Sequence, residues 1–261
     1  MRHLLFIPVF NCENQIIRVI DKILKSDVIS NFEEIIIIDN NSTDNTLSVV
    51  TNIIHDKKLD NFKLFQNKEN YNLGGTHKTG FNYAIENNFD YVSIIHGDDQ
   101  GDINDLEKVF KNEKYKDYDC CLGSRFARGS KLVNYPKFRI YANYMINLAA
   151  SAVSLKFLTD LGSGLNMFKV SYLSNKFYLN FPNGLTFNYC LMFYICDSKS
   201  NFFYFPILWR EDDQVSNVKL FSHFMKWTEI MFMYVFTKKK LFNNTFLKNK
   251  QYAFKKNLDL K

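Results

Sequence analysis

Three carboxylates lie within five residues near the middle of the chain. Asp98, Asp99 and Asp102 follow a strongly apolar run, and Gly97 separates the first of them from His96. A carboxylate after a strand, beside a glycine that lets the backbone approach a ligand closely, can bind a divalent cation that bridges phosphate oxygens. Acidic side chains also favour the first turn of a helix, and we assign Asp102 to such a cap. Asp98 is the best candidate for holding a metal.

A second polar cluster, Asp39-Asn40-Asn41-Ser42-Thr43-Asp44, follows a run of four isoleucines. Its carboxylate and amide groups suit hydrogen bonds to the base and ribose of a nucleoside, although a helix cap is again the simpler interpretation. The coincidence of two acidic clusters favours a ligand site. Both clusters would face one crevice if the apolar runs are strands of a doubly wound sheet.

The pattern of apolar residues in the first half of the chain predicts strands separated by helices. The predicted strands are residues 3–10, 34–39, 62–66, 91–95 and 119–123, and the predicted helices are residues 12–25, 73–87 and 103–112, with another that runs from a cap at Ser42 or Thr43 to Ile54. Strand 34–39 is too apolar to have an exposed face, which indicates a parallel sheet covered on both sides. This alternation predicts an α/β fold with ligands beyond the carboxyl ends of the strands.

The second half of the chain lacks this alternation. Residues 140–155 carry no charge but are too few for the roughly 20 apolar residues of a membrane span, and their four polar side chains form one helical stripe: Asn143, Asn147, Ser151 and Ser154. Residues 219–236 form an amphipathic helical pattern, and the tail from Thr237 carries eight lysines and one acidic residue. We expect this helix and tail to lie on an anionic membrane surface; the alternatives are a core or dimer helix and a solvated chain end.

Composition excludes some classes of protein. Five cysteines, an odd number without the paired spacing of a metal site, indicate reduced thiols in the cytoplasm. The net charge of +6 is not accompanied by a nucleic-acid recognition motif, so nucleic acid is not an expected partner. A glycine-rich dinucleotide fingerprint does not follow the first strand, which argues against an NAD-dependent enzyme.

Six short segments occur in a recognisable order along the chain: residues 7–13, 38–44, 97–100, 123–126, 160–164 and 206–216. The first three resemble the signatures of family 2 glycosyltransferases. The last three resemble segments of the branch that contains dolichyl-phosphate mannose synthases and bacterial polyprenyl-phosphate glycosyltransferases. The resemblance spans residues 4–219. It implies a GT-A fold, which is a doubly wound mixed sheet of the nucleotide-diphospho-sugar transferase type, here with C-terminal amphipathic helices.

The resemblance also implies roles for individual residues. The residues expected to bind the nucleotide sugar are Pro8, Phe10, Glu13, Asp39, Asn41, Gly97, Asp99 and Gln100. Asp39 would contact the uracil or guanine, and Asp98 would be the metal-binding acid of the D-x-D motif. His96 stands in place of the usual first acid of that motif, and Asn40 stands where an acid is common. An imidazole suits Mn²⁺ better than Mg²⁺, and either ion is the expected cofactor.

Charge develops on the leaving diphosphate during sugar transfer, so cationic side chains should stabilise it. Arg125 and Arg210 occupy matching motif positions, and arginine suits bidentate phosphate contacts. The role of Asp160 depends on the acceptor. A sugar hydroxyl requires a general base, which Asp160 could supply, whereas a phosphate acceptor does not, and Asp160 would then hold the loop before Ser163. His77 and Lys78 would approach the diphosphate if the start of their helix points there.

The expected organisation is a catalytic domain over residues 1–218, with a nucleotide-sugar-binding half (1–123) and an acceptor-binding half (124–218), followed by an amphipathic helix and basic tail (219–261). The expected function is that of an inverting glycosyltransferase that uses a UDP- or GDP-sugar in cell-surface polysaccharide synthesis. Its acceptor would be a polyprenyl phosphate or lipid-linked glycan, reached from the cytoplasm at the inner face of the membrane, and a homo-oligomer is one expected state. A catalytically silent nucleotide-sugar-binding protein and a nucleotidyltransferase are the alternatives.

Overall fold

The computed structural model describes residues 1–213, 220–243 and 251–255. Within these residues, seven strands form one sheet: β1 (His3–Val9), β2 (Glu34–Asp39), β3 (Phe62–Gln66), β4 (Tyr91–Ile95), β5 (Cys120–Ser124), β7 (Leu165–Lys169) and β8 (Phe202–Pro206). A separate parallel pair consists of β6 (Lys131–Val133) and β9 (Leu208–Arg210). The α-helices are α1 (Gln15–Lys25), α2 (Thr46–Lys57), α3 (Asn72–Glu86), α4 (Glu107–Phe110), α5 (Lys137–Ser154), α6 (Val170–Leu173), α7 (Phe187–Asp197), α8 (Leu220–Phe236) and α9 (Lys238–Phe242).

The sheet is mixed, as expected, with the order β3-β2-β1-β4-β7-β5-β8. β7 is antiparallel to both of its neighbours, and the other pairs are parallel. The chain builds outward from β1 to β3 and then returns to place β4 on the other side of β1. The carboxyl ends of β1 and β4 therefore border the point where the strand order reverses, which is where open α/β sheets bind ligands.

Both faces of the sheet are covered. Alternate residues of β1 and β2 point to opposite faces, so that Phe6 and Ile36 join the core cluster that includes α3 and α7, while Ile7 and Ile37 join the cluster that includes α1 and α2. Every residue of β1 is buried. The prediction of a doubly covered sheet is confirmed, because these strands have no solvent-facing side.

Most of the predicted elements are present, and the strands 34–39, 62–66 and 91–95 match to the residue. The predicted helix 103–112 is wrong in type. A 3₁₀ turn (Ile103–Leu106), the single turn α4 and a second 3₁₀ turn (Lys111–Asp117) replace it. The buried residues Ile103, Leu106 and Val109 are spaced by three, which is the 3₁₀ period, whereas an α-helix needs a mixture of three and four.

The predicted cap of α2 is also wrong. The helix begins at Thr46 after Asn45, and not at Ser42 or Thr43. The Ser42 hydroxyl instead accepts a hydrogen bond from the Asn11 backbone N–H at 3.0 Å, and the Thr43 N–H donates to the Asn11 side chain at 2.9 Å. These two residues are used to join neighbouring loops. Asp102 does cap its turn as assigned, because its carboxylate accepts from the Asn104 N–H at 3.0 Å.

The described C-terminal residues pack onto the same body. α8 contacts α5 and α7, and its Trp227 and Tyr234 are buried in the core. Residues 251–255 return to the end of β3, where the Lys255 N–H donates to the Gln66 carbonyl at 2.7 Å and Phe254 stacks on Phe65. The tail was expected on a membrane surface, with a solvated chain end as the alternative; its residues 251–255 instead pack on the protein, and residues 244–250 and 256–261 lie outside the described part. Over the described residues, the helices lack the length and apolar content that crossing a bilayer demands.

The approach of β5 to β7 generates a stability prediction. A Cβ at Gly123 would lie 2.3 Å from the Leu165 carbonyl oxygen, a backbone atom that the sheet holds in place. We expect Gly123→Ala to lower the free energy of unfolding by about 1–3 kcal/mol through overpacking, measured by chemical denaturation. Gly184→Ala is the control, because nothing lies within 4 Å of its Cβ position. Equal stability of the two variants would contradict this packing.

Candidate active site

The crevice begins where the ends of β1 and β4 touch. The Gly97 N–H donates to the Pro8 carbonyl at 3.0 Å, and a Cβ at Gly97 would lie 2.4 Å from the Val9 side chain. Only glycine allows this approach without displacing Val9. The contact joins Pro8 and Gly97, two residues predicted to bind the nucleotide sugar, at the carboxyl ends of β1 and β4.

The loops after β1 and β2 are tied to each other by reciprocal hydrogen bonds. The Glu13 carboxylate accepts from the Asn45 N–H at 2.9 Å, and the Glu13 N–H donates to the Asp44 carboxylate at 3.2 Å. Phe10 lies at the tip of its loop with 43% of its surface exposed. Of the predicted pocket residues, Glu13 therefore braces the two loops, while Phe10 is accessible to a ligand.

Asp39 ends β2 and is completely buried. Its carboxylate accepts from the Ser42 N–H at 3.2 Å and from the Gln66 side chain at 2.9 Å. These donors hold the two carboxylate oxygens at the carboxyl edge of the sheet.

The neutral side chain of Asn40 has a structural explanation. Its amide donates to the Asn70 side chain at 2.8 Å, while its oxygen accepts from the Asn67 side chain at 3.0 Å and from the Tyr71 N–H at 2.8 Å. An ionised acid accepts hydrogen bonds but cannot donate one. Asparagine is therefore the better residue for this position, where an acid is common.

The two adjacent aspartates of the β4 loop have different surroundings. Asp99 is buried, has a positive φ of 60°, and pairs with Arg18 at 2.8 Å and with Lys22, both on α1. Asp99 thus fastens the loop to α1. Asp98 is partly exposed and accepts from the Gln100 N–H at 3.2 Å. Burial raises the pKa of Asp98 above its ordinary value.

His96 has a partner that the sequence analysis did not identify. Its Nε2 lies 3.3 Å from the Nε2 of His77, and its ring packs against Gly164 so closely that a Cβ there would be 2.9 Å away. Burial lowers the pKa of both imidazoles, which favours a neutral pair in which one ring donates to the other. His77 in turn stacks on Phe81 and Phe187.

This arrangement bears on the expected metal. In the described part of the chain, His, Cys, Asp and Glu side chains do not assemble into any group of three or more that could hold an ion. Asp98 fits the role of a single carboxylate ligand at the crevice. His96 does not fit as its partner, because its Nε2 is directed at His77. Metal dependence is therefore not confirmed, and His96 as a ligand stays a prediction without structural support.

Arg125 and Asp160, which the sequence placed in separate roles, form one buried ion pair. Arg125 Nε and Nη2 donate to the two carboxylate oxygens at 2.8 and 2.7 Å, and the Arg125 N–H adds a third bond at 2.9 Å. The Gly162 N–H donates to the same carboxylate at 3.1 Å. Burial alone would lower the pKa of Arg125, but the charge and hydrogen bonds of Asp160 outweigh it and raise the pKa.

The backbone of Arg210, in the second half of the chain, is bonded to the loop of Asp98. Its N–H donates to the Gln100 carbonyl at 2.9 Å, and the Gln100 side chain donates to the Arg210 carbonyl at 3.3 Å. The neighbouring Trp209 forms an isolated antiparallel β-bridge with Gly101. The Arg125 guanidinium lies over the Trp209 ring, 5.4 Å from its centroid. The strand β9 therefore joins the loop of Asp98 to the pair formed by Arg125 and Asp160.

Lys78 does not approach the crevice. It is fully buried, and its ammonium donates to the Phe181 carbonyl at 2.5 Å, the Asn183 side chain at 2.8 Å and the Tyr252 hydroxyl at 3.0 Å. This contact helps to hold the C-terminal segment. From the same segment, Lys255 donates to the predicted nucleotide-binding residue Asn41 at 2.6 Å.

The fold and the grouping of acids at the switch point of the sheet define a protein of the nucleotide-diphospho-sugar transferase type with the GT-A fold. Residues 5–177 match the family model for glycosyl transferase family 2, and the chain belongs to that family. The specific branch suggested by residues 123–126 and 160–164 is not confirmed by this match.

Comparison with individual proteins agrees with this placement. The chain is 27% identical over 162 residues to an uncharacterized protein, MJ1222, of Methanocaldococcus jannaschii, a match that spans 62% of each chain. It is similar in fold to TarS of S. aureus solved in complex with UDP, with a TM-score of 0.58, 15% identity, and coverage of 95% of this chain and 68% of that one. It is also similar to GalNAc-T7 solved with UDP, GalNAc and Mn²⁺, with a TM-score of 0.59, 9% identity, and coverage of 95% and 54%.

The buried ion pair generates a double-mutant prediction. Asp160→Asn should leave the Arg125 guanidinium without its counter-charge, and Arg125→Met should do the same to Asp160, each costing about 3–5 kcal/mol of folding free energy. The double variant should lose much less than the sum, because neither charge is then left buried alone.

Urea denaturation of all three variants gives the coupling energy. The exposed pair of Arg2 and Glu33, 2.8 Å apart, is the control, and Glu33→Gln should change stability little. Simple additivity of the Arg125 and Asp160 substitutions would show that the pair does not hold this loop.

Proposed function

We propose that this protein is an inverting glycosyltransferase that transfers a sugar from a UDP- or GDP-sugar to a polyprenyl phosphate or lipid-linked glycan of cell-surface polysaccharide synthesis. The observation that carries the proposal is the meeting of the β1, β2 and β4 loops at the switch point, with Asp39 at the end of β2 and Asp98 in the loop after β4, the two strands on either side of β1. Membership of the family supports the reaction class. The fold neighbour TarS, solved with UDP, supports a nucleotide donor.

Each side of the crevice has a task in this reaction. Asp39 and Asn41 would hold the nucleoside, and the backbone at Pro8 and Gly97 would leave room for the diphosphate. Asp98 would hold a Mg²⁺ or Mn²⁺ ion, which when bound neutralises charge on the diphosphate. Arg210 is placed beside the same loop by its bonds to Gln100, where its guanidinium would stabilise the leaving group.

The state of Asp160 favours a phosphate acceptor. Its carboxylate is fully engaged by Arg125 and the Gly162 N–H, and only 1% of its surface is exposed. A carboxylate held in this way is a poor general base, and a sugar hydroxyl would need one. An acceptor phosphate is already anionic and needs only positioning, so Asp160 acts by orienting Arg125.

A catalytically silent nucleotide-sugar-binding protein is the second candidate. The observation that favours it is the contact of His96 with His77, which removes the first position of the D-x-D motif from the crevice. The two candidates share donor binding but differ in turnover.

Asp98→Asn tests the transferase directly. We expect it to lower the rate of sugar release or transfer about 10²–10³-fold, the scale of losing one group that stabilises transition-state charge. Folding should suffer little, since asparagine has the same size and keeps a side-chain oxygen that can accept from the Gln100 N–H. Asp102→Asn is the matched control from the same loop, because asparagine also caps helices well. If Asp98→Asn kept the activity of the wild type, the role of Asp98 would be refuted. If the unmodified protein bound the donor but showed no turnover, the silent alternative would be established.

Donor class is tested by thermal unfolding of the whole chain with UDP- and GDP-sugars, each with Mn²⁺ or Mg²⁺. A ligand at about 100 times its dissociation constant should add roughly 2.7 kcal/mol of stability, which raises the melting temperature. We expect one nucleotide class to stabilise and the other not. Failure of both classes, with every sugar tested, would count against the proposed nucleotide pocket.

A further inference from the structure

The helix α5 has its polar side inward. The stripe predicted from the sequence faces the protein, where the Asn147 amide donates to the Thr159 carbonyl at 2.7 Å and the Ser151 hydroxyl accepts from the Leu158 N–H at 3.0 Å. At the start of the helix, the Asn143 amide donates to the Tyr135 hydroxyl at 3.2 Å. A surface helix of a globular protein normally shows the reverse arrangement, with its apolar stripe toward the core.

The outward side of α5 is correspondingly apolar. Five of its large side chains have 51–70% of their surface exposed: Phe138, Tyr141, Tyr144, Met145 and Leu148. The loop that follows continues the pattern, with Leu155 at 89% and Phe157 at 84%. No charged residue occurs between Arg139 and Lys156. A contiguous apolar surface of this kind marks a site of interaction.

The neighbouring helix α8 extends the surface. It contacts α5 and exposes a further set of large apolar side chains: Phe224, Met225, Phe232, Val235 and Phe236. Lys226 and Glu229 are exposed on the same helix. We refer to the outward residues of α5, the loop Leu155 to Phe157 and these α8 residues as the apolar face.

Charges around the apolar face indicate what covers it. Exposed lysines border it at both ends of α5, with Lys137 in the first turn and Lys156 in the loop that follows the helix. Lys226, Lys239 and Lys240 lie exposed on α8 and α9. Glu229 is the exposed acidic residue of α8, and Glu211 near the start of α5 is paired with Arg139 at 2.8 Å. A basic border complements anionic lipid headgroups. A symmetric dimer through the same face would oppose lysines to lysines.

We propose that the apolar face lies on an anionic membrane surface, with its apolar side chains in the boundary between headgroups and acyl chains. The exposed tyrosines suit this layer, because each has an apolar ring and a polar end. The face adjoins the active site, since Tyr144 contacts Phe126, the residue after Arg125, at 5.2 Å between rings. Membrane binding does not depend on the proposed transfer reaction, because the surface would bind lipid without any donor.

Sedimentation of the full chain with lipid vesicles tests the inference. The wild-type protein should pellet with phosphatidylcholine vesicles that contain phosphatidylglycerol, but weakly with phosphatidylcholine alone, and added salt should reduce the binding. Met145→Glu and Leu148→Glu should each weaken binding about tenfold or more, since each replaces an inserted apolar side chain with a charge. Their melting temperatures should not change, because both positions are exposed.

Ile17→Glu is the matched control. Ile17 is also an exposed apolar residue, at 40%, but lies on α1, which covers the opposite side of the sheet. This variant should bind vesicles like the wild type.

The inference is overturned if the wild type does not pellet with anionic vesicles, or if Leu148→Glu binds as well as Ile17→Glu. A dimer in sedimentation equilibrium that Leu148→Glu dissociates, without vesicle binding, would identify the face as a self-interface. None of these outcomes involves turnover, so they are distinct from failure of the proposed reaction.

Discussion

The proposed active site depends on the close contact between the ends of β1 and β4. Because Gly97 has no side chain, its N–H can reach the Pro8 carbonyl, and the loop of Asp98 then lies beside the loop that carries Phe10 and Glu13. A larger residue would separate the two strand ends at the one point where the strand order reverses. The contact therefore fixes how far apart the β1 and β4 loops lie. Hydrogen bonds between the loops after β1 and β2 hold the β2 loop beside them.

The chain uses most of its buried acids to position other groups. Asp99 is committed to Arg18 and Lys22, and Asp160 is committed to Arg125. Buried charges of this kind are tolerated because each has a partner of opposite sign. Burial raises the pKa of the adjacent Asp98, and the cation proposed for the crevice would oppose that shift. Of the two adjacent aspartates, Asp99 fastens the loop to α1, and Asp98 is the one proposed to hold the cation.

Periodicity was sufficient to predict β1 to β5, because a fully buried strand is a continuous apolar run, and the predicted ends agree to within one residue. It did not predict β6 to β9, which lie in the half of the chain without that alternation. It was not sufficient for contacts between distant residues. The partners of Asp99 are 77 and 81 residues away along the chain, and Lys255 meets Asn41 across 214 residues. Spacing also could not show that His96 would turn to His77, or that Ser42 and Thr43 would join loops instead of capping α2. In each case, contacts with residues distant in the chain determine the side-chain partner and override the local conformational preference.

The orientation of α5 shows how the site and the surface are linked. The polar stripe of Asn147 and Ser151 holds the backbone at Thr159 and Leu158, which directly precede Asp160. If α5 were turned to bury its apolar residues, those backbone groups would lose their partners, and the loop that presents Asp160 to Arg125 would lose its support. The same hydrogen bonds that position the ion pair therefore keep the apolar face outward. The lipid-phosphate acceptor that we propose would suit this geometry, because its apolar part would meet the exposed helix while its phosphate lay near Arg125.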